Sequence, residues 1–133
     1  MRGERRQEKL APVLANLVAL EGFVRDCDFL TPQERDKALL VATEYFENIV
    51  SYNKCPVTRD ITVSVEKGRH LTVVLSYSTC NFRELVRSAK SIRPHYDADI
   101  RRYRGLGLLM CKNIAKSIRY RKGLLNSSVL IIL

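Results

Sequence analysis

No stretch of the 133-residue chain approaches the roughly 20 consecutive apolar residues that a spanning helix needs, so a helical membrane span is excluded and no membrane partner is expected. Histidine occurs only twice, and the four cysteines, Cys27, Cys55, Cys80 and Cys111, contain no closely spaced ligand pair. That spacing excludes a structural zinc site and offers no disulfide framework, so the thiols read as small packed or surface residues. Internal repeats, low-complexity tracts and linkers are also absent, which leaves one domain over residues 1–133. Acids are in short supply, with 14 Asp and Glu against 23 Lys and Arg and a net charge of +9. A surplus of this size favours an acidic partner: nucleic acid, an acidic protein surface or a polyphosphate.

What is present suits a folded domain, with 46% hydrophobic and 28% charged residues. The basic start followed by residues 10–24 imitates a leader. Asn16 and Glu21 interrupt the apolar run and no small-residue cleavage site follows, so the segment is expected to be an amphipathic helix of a cytoplasmic protein. A second helix is expected from Thr31-Pro32-Gln33-Glu34, where Thr31 caps, Pro32 takes the first turn and Glu34 closes a capping box. It should run to Tyr52 and bury Leu39, Ala42, Tyr45 or Phe46, and Ile49. Clean alternation over 61–65 and 70–77 about the turn Glu66-Lys67-Gly68-Arg69 predicts a β-hairpin. Residues 78–104 show no sustained period and are expected to form a long functional loop. A last helix should follow Gly105-Leu106-Gly107, and a second hairpin should turn near Gly123. The expected class is α+β, a two-layer sandwich of a mainly antiparallel sheet with helices on one face.

Two groups of residues could carry chemistry. Glu44 and Asn48 are four apart on the second helix and share a face. Arg104-Gly105-Leu106-Gly107 opens the last helix, where backbone amides and the positive helix end favour phosphate and glycine lets a ligand approach the backbone.

Taken in order, Glu44-Tyr45-Phe46-Glu47-Asn48, residues 73–82 and residues 104–120 resemble the GHKL (histidine kinase-like) ATPases, in particular their small bacterial branch of anti-sigma factor serine/threonine kinases. The resemblance covers residues 17–133 and implies a GHKL-like fold with 78–104 as the nucleotide lid. It implies ATP and Mg2+ as cofactors, with Asn48 coordinating the metal and Glu44 as the general base. Arg104, Gly105, Leu106 and Gly107 would then lie along the phosphates. Where the family carries an Asp-x-Gly box against adenine, this chain has Tyr77-Ser78-Thr79, so Tyr77 and Thr79 stand at the adenine position without a carboxylate.

Two functions follow. One is an ATP-binding regulatory protein that engages a sigma factor or an anti-sigma antagonist and phosphorylates a serine. The other is a protein-binding module on the same fold that acts without nucleotide. The branch also implies a homodimer, for which the apolar first helix could supply the interface. Nucleic-acid binding through the basic second half is a weaker reading, because neither an aromatic-interleaved RNA motif nor a helix-turn-helix accompanies the charge.

Overall fold

The structure, a computed structural model, describes residues 3–55, 59–90, 95–98 and 102–133; for His95, Asp97 and residues 102–104 the backbone alone is described. Helix α2 (Pro32–Tyr52) is the spine. Its start follows local chemistry: the Thr31 hydroxyl accepts the Glu34 N–H at 3.2 Å while Glu34 Oε1 accepts the Thr31 N–H at 2.9 Å. Pro32 occupies the first turn, where no amide donor is needed. Ala38, Val41, Ala42, Tyr45, Phe46 and Ile49 recur at helical spacing and are buried, while Leu39 is half-buried on the shoulder of that face.

The sheet forms because apolar residues alternate. Strands β2 (Ile61–Lys67) and β3 (Leu71–Tyr77) bury Ile61, Val63, Val65, Leu71, Val73, Leu75 and Tyr77. In β7 (Ser127–Ile132), Val129 and Ile131 continue the same face, and β6 (Ser117–Arg121) pairs outside it, with Tyr120 opposite Val129. The helices cover this face, while Thr62, Thr72, Val74, Ser76 and Leu130 on the other remain half-buried. With a strand at Glu4–Leu10, β1, on the far side of β2, all pairings are antiparallel, in the order β1-β2-β3-β7-β6. The expected α+β class and both hairpins are present.

Two expectations are corrected. Residues 10–24 are not one helix. Strand β1 (Glu4–Leu10) pairs along β2, a short 3-10 turn covers Leu14–Asn16, and helix α1 starts only at Leu17 and runs to Arg25. Leu10 belongs to the strand, where it is buried opposite Ile61, and Pro12 follows it. The other β1 side chains are exposed, so nothing in their hydropathy marks a strand. Backbone pairing holds it, helped by Arg5 Nε donating to Ser64 Oγ at 3.2 Å and by Arg6 over the Phe23 ring at 5.7 Å. Its charged side chains also discourage edge-to-edge association.

Residues 78–104 are not a structureless loop either. They contain helix α3 (Phe82–Lys90), which buries Leu85 and Ala89, and the paired strands β4 (His95–Asp97) and β5 (Arg102–Arg104). Residues 91–94 and 99–101 of the expected lid lie outside the described residues. Helix α4 (Leu106–Ile114) begins after Gly105, whose φ of 88° is the left-handed region that glycine tolerates, and packs on α2. Among the described residues no helix is long and apolar enough to cross a membrane. The apolar face of α1 faces inward, with Leu20, Phe23 and Val24 buried in its own core, so that face is not offered to a second copy.

Candidate functional site

Glu44 projects from α2 toward the start of α4, and Asn48 lies one turn further along the same face of α2. The contact is close: a Cβ added to Gly107 would fall inside the Glu44 carboxylate. The side chain of Glu44 therefore lies against the first turn of α4, where the partial positive charge of the helix end favours an anion. Cys111, one helical turn further along α4, ties the helices together, its thiol pointing to the Leu40 carbonyl at 3.9 Å. Burial pushes that thiol up to about 12, and the Glu44 carboxylate adds to the effect. The two groups singled out from sequence thus meet in space, at Glu44 and Gly107.

Asn48 is 6% exposed, and its Oδ1 is buried without a hydrogen-bond partner. Leaving a buried carbonyl oxygen unsatisfied costs about 1–3 kcal/mol, so this atom is poised to accept a ligand. An amide oxygen beside a carboxylate is a donor set that fits Mg2+, which takes hard oxygen ligands. The two side chains expected on the phosphate side are therefore of a chemistry that fits Mg2+.

The adenine side differs. Tyr77 ends β3 at 3% exposure, and its backbone pairs with Ser127, itself 4% exposed. Burial pushes its phenol up to about 12, with a further contribution from Tyr120. The ring is a core side chain and provides no carboxylate for an adenine amino group. Thr79 belongs to a knot that fastens the end of β3 to the end of α2. Its hydroxyl donates to Asn81 Oδ1 at 2.9 Å, Asn53 Nδ2 donates to the Ser78 carbonyl at 2.8 Å, and Asn81 Nδ2 donates to the Tyr52 carbonyl at 3.0 Å. Tyr77 and Thr79 are thereby held near the end of α2, beyond Asn48. Leu106 is 46% exposed on α4, and Arg104 closes β5 with its side chain outside the described residues.

A feature not foreseen from sequence is an open pocket of about 360 Å³ lined by Tyr45, Lys90, Lys112, Lys116, Ser117 and Tyr120. Lys90 stands over the Tyr120 ring at 5.6 Å, and the Tyr45 and Tyr120 hydroxyls are 3.5 Å apart. The lysines were legible only as part of the general basic surplus. Their convergence depends on α3, α4 and β6 meeting. Among the described residues there is no cluster of three or more histidine, cysteine or acidic side chains that could hold a metal, and all four cysteines are unbridged.

No protein-family model matches the sequence, and no curated protein matches it. Solved structures do share the fold, and one of them covers nearly the whole chain. It is a chain of the SiaB–SiaC complex from Pseudomonas aeruginosa, with a TM-score of 0.63 and 16% identity, covering 96% of this chain and 89% of that one. At that identity the SiaB–SiaC likeness speaks for the fold.

Proposed function

We propose that this protein is a regulatory protein that binds a protein partner and uses the α2–α4 site for ATP with Mg2+, in the manner of the anti-sigma factor kinases it resembles. The observation that carries the reading is the buried Asn48 Oδ1, without a hydrogen-bond partner, on the same helix face as Glu44 where α4 begins. In this reading Asn48 holds the metal, and Arg104 with the Gly105-Leu106-Gly107 backbone lies along the phosphates. Bound Mg2+ neutralises phosphate charge. The partner is a sigma factor or an anti-sigma antagonist, and Glu44 accepts the proton of a serine hydroxyl presented by the antagonist. Its carboxylate now occupies the anion position at the α4 terminus, so it swings aside when a phosphate enters. Support for a protein partner comes from the fold neighbour, which is one member of a two-protein complex.

One observation favours a second reading, a partner-binding module that works without nucleotide: Tyr77 is built into the core where the family's carboxylate would stand. Losing a hydrogen bond to a charged acceptor weakens binding by about 1.5–3 kcal/mol. Titration calorimetry with ATP and ADP, with and without Mg2+, separates the two. Magnesium-dependent binding that Asn48→Ala weakens at least about tenfold supports the first reading. If instead ATP gives no heat at millimolar concentration and partner affinity ignores ATP, the second reading stands. Glu44→Gln should then abolish serine phosphorylation in the first case, while nucleotide affinity is retained.

A further inference from the structure

The register places four loops at one end of the sheet, because β1 and β3 end there and β2 and β7 begin there, at Leu10, Tyr77, Ile61 and Ser127. The described residues of these loops are 11–16, 53–55, 59–60, 78–81 and 122–126. Of the nine large hydrophobic side chains exposed among the described residues, six lie at this end: Val13, Leu14, Val18, Tyr52, Leu124 and Leu125. Leu124 is 101% exposed and Leu125 72%, so the tip of the β6–β7 hairpin carries two leucines that nothing covers.

The tip is held in shape. A Cβ on Gly123 would collide with the Asn126 carbonyl, and Ser78 Oγ donates to the Leu125 carbonyl at 3.3 Å. Exposed cations share this end of the sheet. Arg121 and Lys122 precede the leucines, Lys54 and Arg59 stand exposed in the neighbouring loop, and Asp60 is the sole acid among the described residues of these loops. From Gly105 to Leu133 the chain contains no acid at all.

We infer that this end of the sheet is a docking surface for an anionic phospholipid bilayer, with Leu124 and Leu125 entering the interface and Arg121, Lys122, Lys54 and Arg59 meeting the headgroups. The surface is two prongs, one at each side of a five-stranded sheet and so roughly 19 Å apart, rather than a flat packed patch. A fluid layer accepts both prongs without a matching shape. Exposed leucines gain by leaving water, and each cation near an anionic surface raises partition about fivefold. The absence of a spanning helix, from which no membrane partner was expected, bears only on crossing and not on peripheral contact.

The chain has no tryptophan, so Leu124→Trp installs a single reporter at the tip. Vesicles of phosphatidylcholine with about 30% phosphatidylglycerol should shift its emission to the blue and sediment the unaltered protein, whereas pure phosphatidylcholine vesicles should do neither. High salt should weaken the effect. Leu124→Asp with Leu125→Asp, and separately Arg121→Glu with Lys122→Glu, should each lower partition at least about tenfold with the melting temperature unchanged. The inference is overturned if the anionic vesicles cause no shift at low salt. It is also overturned if the leucine variant partitions like the parent, which would mean charge alone acts. A leucine variant that converts a dimer to a monomer, without vesicle binding by the parent, would assign the face to a second copy instead.

Discussion

At Gly107 the absence of a side chain has a partner, the Glu44 carboxylate that fills the space a Cβ would take. Gly107→Ala should therefore push the flexible end of Glu44 aside at a small cost, no more than about 1 kcal/mol, read as a slightly lower urea midpoint. Combined with Glu44→Ala, the loss should be clearly less than the sum of the two single losses, since the clash disappears. Additive losses would mean that the two residues do not meet. The cysteines make a second test at this scale. Cys27 and Cys111 are fully buried, and burial raises both thiols, so at pH 8 they remain protonated and shielded. A thiol reagent should label the exposed Cys80 first and reach Cys27 and Cys111 only after denaturant is added. Asn48 was legible as a candidate from its spacing to Glu44. That its Oδ1 would be buried and unpaired was not, because burial of a helix face depends on what packs against it.

Among the elements, α2 was readable from end to end because its signals are local: a capping threonine, a proline in the first turn, a glutamate three residues on, and an apolar face at helical period. The cap reaches further than the helix. Lys67 of β2 donates to Glu34 Oε1 at 2.7 Å and to the Phe29 carbonyl at 3.3 Å. That hydrogen bond from Lys67, followed by the one from the Thr31 backbone, holds the Glu34 carboxyl below its usual 4.5. A depressed carboxyl contributes stability that is present above its unfolded value and is lost as pH falls through the folded one. The contribution should accordingly fade below about pH 4.5, and Lys67→Met should flatten that part of the stability profile. Thr31→Ala should cost about 1 kcal/mol in a thermal or urea melt. Strand β1 and helix α3 carry weaker local signals. The strand is exposed along all but its last residue and is held by main-chain pairing, which leaves no trace in hydropathy. The helix has its apolar residues at Phe82, Leu85, Val86 and Ala89, a helical spacing that was there to be seen. Nine residues are nonetheless too few to hold a helix alone, and the packing of Leu85 and Ala89 supplies what the segment lacks.

Across the whole molecule, one core joins α1 and α2 to the covered face of the sheet, and Phe46 is among its largest fully buried side chains. Phe46→Ala should cost about 3–5 kcal/mol, a large share of the 5–15 kcal/mol that holds a typical domain together. Circular dichroism and fluorescence of the tyrosines should report the same lowered midpoint. Residue order alone sets the α+β class, the long helix, both hairpins, the basic balance and the shared helix face of Glu44 and Asn48. Each of these follows from side-chain order over a few turns or a strand pair. Tertiary packing sets the rest: Glu44 lies on Gly107, Tyr77 is buried at the end of β3, and exposed leucines and cations gather at one end of the sheet. Those outcomes join segments up to 110 residues apart, such as Leu14 and Leu124, and such segments come together only when burial of the shared core compensates for the chain entropy lost.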